Sequence, residues 1–146
     1  MKIGDPGEQS LDSLSATVVE LFDRLSNWEQ SVVEGTGLPL PHMHVIEVLG
    51  NNPELRRMRD LADRLGITTG TLTVTVDKLE KAGLVQRVAN PEDRRSWLIE
   101  LTSEGKALQA AHSKYHRALV REACADFDTQ ELAAFSRLLE RFTRRI

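Results

Sequence analysis

From Leu11 onward the apolar residues Leu14, Val18, Leu21, Phe22, Leu25 and Trp28 recur at intervals of three and four. That stripe predicts a helix running to about Val33. The stretch EGTGLPLP holds two glycines and two prolines in eight residues and breaks it. HMHVIEVLG predicts a second helix that stops at Gly50, since glycine takes up a left-handed cap at little cost. In RRMRDLADRLGI, Leu61, Ala62 and Leu65 form an apolar edge and Gly66 ends a short helix. TTGTLTVTVDKLEKAG opens with a threonine cap, sets Leu72, Val76 and Leu79 on one side, and ends at Gly83.

The pattern then changes period. LVQRVAN and SWLIEL alternate as strands do, with Trp97, Ile99 and Leu101 expected on one face, and NPEDRR forms the turn between them. A long helix follows over TSEGKALQAAHSKYHRALVREACADF, with Ala107, Leu108, Ala111, Tyr115, Leu119 and Ala123 as its stripe. DTQE reads as a capping box, Asp128 with Glu131, which opens a closing helix from about Thr129 to Arg145. The fold class is therefore mainly α with one small β-hairpin. Residues 1–9 are expected to be a disordered leader and residues 10–146 one domain.

Composition adds exclusions more than identity. No apolar run approaches the roughly 18 residues of a membrane span, and the N-terminus lacks the apolar core of a secretory signal. One cysteine, Cys124, cannot form an intramolecular disulfide, which makes the cytoplasm the economical compartment; Cys124 itself is expected to be a small buried residue. Net charge is −3, yet residues 54–106 hold ten Lys/Arg against nine Asp/Glu, a net of +1, while the remainder is −4. Nucleic-acid binding would have to rest on local placement of arginines, not on a global field.

That placement exists. Gly66 at the turn and a hydroxyl cap on the next segment punctuate a helix–turn–helix. The solvent side of its second helix carries Thr68, Thr69, Thr71, Thr73, Val74 and Lys78, with Arg57 ahead of the first helix. Threonine is an indifferent helix former, but short hydroxyls suit base edges and phosphates; Thr75 lies nearer the apolar side. The hairpin that follows makes the winged form, and its tip bears Asp93, Arg94 and Arg95. A guanidinium fits the electronegative minor groove, and Asp93 is expected to pair with a neighbouring arginine.

LADRLGITTGTLTVTVDKLEKAGLVQRVANPEDRRSWLIELTSEG resembles the MarR family of bacterial transcriptional regulators, through its Leu79-to-Val85 run, the Asp93-x-Arg95 wing and the Leu101-Thr102-x-x-Gly105 exit. The resemblance implies a homodimer in which residues 10–36 and 103–146 form the dimerisation helices, and residues 37–102 the DNA-binding lobe. It also implies a pseudo-palindromic double-stranded operator and an effector site between the two layers. Val74 departs from the family, where a basic residue is common at this position.

All four histidines fall in two pairs, His42 with His44 and His112 with His116. The second pair is spaced i, i+4 on one helical face, within reach of one ion. Zinc-sensing members of the family resemble this chain here: His44, His112 and His116 fall on three of their ligand positions. Their second site looks absent, because Met43 replaces its glutamate and no cysteine lies near Val32. Three readings stay open: a divalent metal such as zinc as effector, a small organic effector in a pocket lined by Trp28, His42, His44, His112 and His116, or no sensory role. No cofactor is required.

The sequence speaks against two other function classes. A metal-dependent hydrolase on His112 and His116 lacks HExxH or any G-x-S-x-G nucleophile motif. A winged-helix protein–protein adaptor would be favoured by loss of the wing arginines, and both are present.

Overall fold

The computed structural model describes residues 6–146. Its elements are α1 (Pro6–Glu34), α2 (Leu40–Asn51), α3 (Met58–Leu65), α4 (Thr69–Lys81), β1 (Val85–Ala89), β2 (Trp97–Leu101), α5 (Ser103–Ala123) and α6 (Thr129–Thr143). They fall into two compact units, one ending at Lys106 and one running from Ala107 to Ile146. No helix among the described residues is long and apolar enough to cross a membrane.

In the first unit α2 is the central rod, packed against α1, α3, α4 and β2. Met43, Val45 and Ile46 of α2, Leu61 of α3, Leu72, Val76 and Leu79 of α4, and Ile99 of β2 are almost wholly removed from solvent. Each such side chain contributes roughly 1.5–3 kcal/mol of apolar transfer energy, so this core fixes where α4 and the hairpin stand. Gly66 (φ 66°) and Gly83 (φ 73°) end α3 and α4 in the left-handed region, as the sequence predicts.

Three expectations need correction here. Helix α1 begins at Pro6, so residues 6–9 are helical; the rest of the expected leader lies outside the described residues. Gly50 does not end α2, which continues to Asn51. Asn52 closes it, its backbone N–H and its side-chain Nδ2 both donating to the Val48 carbonyl, so no left-handed glycine is needed. In β2, Leu98 is buried beside Ile99 and Leu101, whereas Trp97 is 57% exposed. The strands pair antiparallel from Val85↔Leu101 to Ala89↔Trp97. Arg57 forms a further bridge with Leu98, and the Ile99 N–H donates to the Arg56 carbonyl at 2.8 Å, so the free edge of β2 is covered where simple alternation would have left it open.

The exit from the hairpin is locked. Thr102 Oγ1 donates to the Gly83 carbonyl at 2.6 Å and accepts from the Gly105 N–H at 3.1 Å, while the Thr102 N–H donates to the Leu84 carbonyl. That places Gly105 so close to Leu84 that a Cβ there would lie 2.0 Å from the carbonyl oxygen.

In the second unit, the predicted capping box opens α6: Asp128 accepts from the Gln130 and Glu131 N–H groups, and Glu131 accepts from the Asp128 N–H. Phe127 and Phe135 meet edge to face at 5.7 Å. The expected stripe of α5 is displaced. Ala107, Ala111, Tyr115 and Ala123 are exposed, and the sheltered line runs through Leu108, His112, His116 and Leu119. Leu108 and Leu119 belong to the expected stripe, but His112 and His116 are polar, which is why apolar periodicity passed over them. Cys124 is half-buried, not buried.

Candidate nucleic-acid interface

Helix α4 is held by its apolar side and open on the other. Leu72, Thr75, Val76 and Leu79 face the core, while Thr68, Thr69, Thr71, Thr73, Val74 and Lys78 are exposed. Thr68 caps the helix, accepting from the Thr71 N–H at 3.1 Å. This satisfies one of the free donors of the first turn, an arrangement typically worth about 1 kcal/mol. Thr73 and Thr75 donate back to the carbonyls of Thr69 and Thr71. The exposed hydroxyl of Thr73 keeps its lone pairs available as acceptors. Thr75 serves packing, as its place near the apolar side suggested. Val74 is 55% exposed and presents two methyl groups to solvent.

The wing tip is a rigid loop. Asn90 is buried; its Oδ1 accepts from the Glu92 N–H and its Nδ2 donates to Ser96 Oγ. Asp93 Oδ1 accepts from the Arg95 backbone N–H at 3.0 Å, and the Ser96 N–H donates to the Asp93 carbonyl. Asp93 therefore shapes the tip through a main-chain bond, where the sequence suggested a guanidinium partner. The outcome is that the exposed Arg94 and Arg95 project from a turn that local side chains hold in place. Neither is ion-paired among the described residues.

The hairpin, the start of α3 and Thr73 of α4 line one cleft of about 650 Å³. Its lining includes Thr73 from α4, Arg57 and Arg59 from the start of α3, and Arg87, Arg95 and Trp97 from the hairpin. Arg59 and Arg87 carried no signal in the sequence, and Trp97 was expected only as part of a strand face. Arg87 bonds Asp77 at 2.5 Å and also Glu80, bracing β1 against α4. The hydrogen bond to Asp77, helped by the Glu80 charge, raises its pKa above the ordinary guanidinium value. Arg56 pairs with Glu100, and Arg57 with Glu92 at 2.6 Å. Partners so distant in sequence carry no local signal; only charged residues in a hairpin and at a helix start could have hinted at them.

The histidines divide between the units. In the first, His42 is half-buried on α2, and burial together with the Lys78 charge lowers its pKa below the usual 6.5. His44 is exposed and lines a shallow pocket of about 470 Å³ with Glu47, Val48, Asn51, Asn52, Arg64 and Leu65, which includes neither Trp28 nor His42. That pocket offers His44 no second histidine, so the expected ligand trio is not assembled within its own unit. Trp28 is half-buried on α1. Glu29 and Glu47 present carboxylate oxygens within 4.8 Å of each other.

In the second unit, the Nε2 atoms of buried His112 and half-buried His116 stand 3.1 Å apart, with ring planes at 75°. Two imidazoles on a tetrahedral zinc, with Zn–N of about 2.0–2.1 Å, would place their nitrogens about 3.3 Å apart. At this distance the two rings share a hydrogen bond, and a similar separation would suit one divalent ion.

A family model described as MarR family matches residues 36–96, from the α1–α2 turn to the tip of the wing. The HTH-type transcriptional repressor YetL of Bacillus subtilis (strain 168) is 31% identical over 125 residues, which cover 83% of this chain and 75% of the relative. The homoprotocatechuate degradative operon repressor of Escherichia coli is 27% identical over 131 residues, 90% of this chain and 88% of that one. Among solved structures, Streptococcus pneumoniae FabT in complex with DNA shares the fold with a TM-score of 0.78 at 22% identity, over 92% of this chain and 95% of that chain. The chain thus belongs to the MarR family of winged helix–turn–helix transcriptional regulators, which bind DNA and are not enzymes.

Proposed function

We propose that this regulator is a cytoplasmic homodimeric repressor that reads a pseudo-palindromic operator. In this reading the face of α4 bearing Thr69, Thr71, Thr73 and Val74 lies in the major groove. Arg94 and Arg95 enter the flanking minor groove, and Thr68, Lys78 and Arg57 hold phosphates. One observation carries it: Thr73 on the open face of α4 and Arg95 of the wing line a single cleft, so one duplex can meet both. Relatives named as repressors, and a structural neighbour solved with DNA, point the same way.

Dimerisation is supported by apolar surface left open in each unit. Leu11, Leu14, Leu21 and Phe22 on α1, and Leu132, Phe135, Leu138 and Phe142 on α6, are all at least 42% exposed. Contiguous rows of this kind mark protein interfaces, and a second copy is the partner the two-fold operator calls for. Sedimentation should give a dimer.

The test of DNA binding is a salt series on a duplex from upstream of the gene. Arg95→Ala should weaken binding broadly across sequences and flatten the slope of log affinity against log salt by about one unit per engaged protomer. Unchanged affinity would remove the wing from the interface.

For the effector, the spacing of the His112 and His116 nitrogens favours a divalent metal over an organic acid, although the name of the Escherichia coli relative keeps an aromatic effector as the second reading. Elemental analysis of dialysed protein decides. The double variant His112→Ala/His116→Ala should lose bound zinc; equal zinc in both proteins would leave the organic reading.

A further inference from the structure

The start of α3 and the wing are tied together by an acid that faces the DNA side of the lobe. Arg57 is the N-cap of α3, in extended conformation, and its backbone bridge to Leu98 fixes where its side chain starts. Its Nη2 lies 2.6 Å from Glu92 Oε2, a residue 35 positions away at the wing turn. Both side chains are largely exposed, 56% and 75%. Glu92 is itself positioned: its N–H donates to Asn90 Oδ1, inside the locked tip. Both residues line the cleft between wing and recognition helix.

An exposed ion pair of this kind holds weakly, with little net free energy. A phosphate is a better guanidinium partner, since it offers more oxygens in the planar fork geometry and more charge. Arg57 can therefore exchange one for the other at low cost. The exchange has a second consequence, because Glu92 is left with its negative charge beside the backbone of the duplex. We propose that Glu92 is an internal stand-in for a DNA phosphate: it occupies Arg57 in the free protein, and DNA must displace it. The acid at the wing then sets an upper limit on affinity and favours duplexes that place a phosphate firmly enough to win the exchange. This rests on the DNA-binding reading above.

The test uses full-length protein, fluorescence anisotropy on a labelled duplex of several helical turns, and a salt series. Four proteins are compared: the native chain, Glu92→Gln, Arg57→Gln and the double variant. Glu92→Gln keeps the shape of the side chain and the Asn90-centred turn, and thermal melting checks that it folds. The expected result is binding about two- to fivefold tighter than native at low salt, the scale of one exposed ion pair, with a salt slope steeper by up to about one unit per engaged protomer. The gain should be clearly smaller in the Arg57→Gln background.

Equal gains in both backgrounds would show a general charge effect and overturn the stand-in. Weaker or unchanged binding by Glu92→Gln would overturn it too, the former by showing that Glu92 holds Arg57 ready for DNA. If the native chain fails to bind duplex at any salt, the DNA-binding reading itself falls. That failure is distinct from the other outcomes, in which native binding is intact.

Discussion

At Gly105 the main chain leaves no room for a side chain, and replacing it by alanine is a quantitative test of how the lobe is braced. A methyl group there would stand 2.0 Å from the Leu84 carbonyl oxygen, 3.0 Å from the carbonyl carbon and 3.3 Å from Leu101 Cδ2. Carbon–oxygen contacts settle at about 3.3 Å or more, so the start of α5 and the α4–β1 connection must separate by about 1 Å. Both flanks are main chain held by hydrogen bonds, and no flexible side chain can swing aside. Thr102 ties them through the Gly83 carbonyl, the Leu84 carbonyl and the Gly105 N–H, and those bonds would lengthen with the shift.

Overpacking of this kind costs roughly 1–3 kcal/mol, and the rigidity of both flanks places Gly105→Ala near the upper end. At about 2–4 °C per kcal/mol for a chain of this size, melting should fall by about 5–10 °C at fixed protein concentration. Gly70→Ala supplies the opposite sign. Its added carbon meets only Thr68 Oγ1 at 3.8 Å, an ordinary contact, and alanine in a helix gains up to about 1 kcal/mol over glycine. Melting of Gly70→Ala should hold or rise by a few degrees. A Gly105→Ala protein that melts within a degree of native would refute the close approach and the motif-level explanation built on it.

Other outcomes follow from single contacts. Because the pKa of His42 is lowered in the folded protein, first by burial and then by Lys78, the unfolded chain binds this proton more tightly. Its stabilisation is complete above the usual 6.5 and is lost as pH falls toward the lowered folded value, so His42→Gln should show a flatter melting-versus-pH profile there; parallel profiles would exclude the effect. Arg87→Met strips the brace from Asp77 and Glu80, leaving two carboxylates together, and should cost about 1 kcal/mol by urea denaturation. Adding Asp77→Asn and Glu80→Gln should recover part of that loss, and no recovery would mean Arg87 acts by packing alone.

What the sequence made legible was local. Gly66 and Gly83 at positive φ, the Thr68 cap and the Asp128 box are each decided within a few residues, and the structure has them where the pattern puts them. The open face of α4 follows from the core side being apolar. What was hidden depends on pairs remote in sequence. Residues 56–57 cover the edge of β2 and thereby bury Leu98, which strict alternation assigns to solvent. The sheltered line of α5 runs through His112 and His116, so hydrophobicity pointed one position away. Only in three dimensions do Arg57 and Glu92, or Arg87 and Asp77, become partners.

These pairings also explain how an acidic chain can present a DNA-binding surface. Arg56, Arg57 and Arg87 each have a carboxylate partner, so they add little long-range potential. The Debye length at physiological ionic strength is about 8 Å. Charges farther away than that are screened, and the net charge of −3 says little about the cleft. In the proposed reading a duplex meets first the Arg94–Arg95 tip, positively charged and shaped by the hydrogen bonds of Asn90 and Asp93. If Glu92 stands in for a phosphate as proposed, the charge of Arg57 comes into play only once a duplex is seated on α4. Weak attraction at a distance and strong contact at close range suit a regulator that must ignore most of the DNA it encounters, and the placement of acids beside arginines is what separates the two.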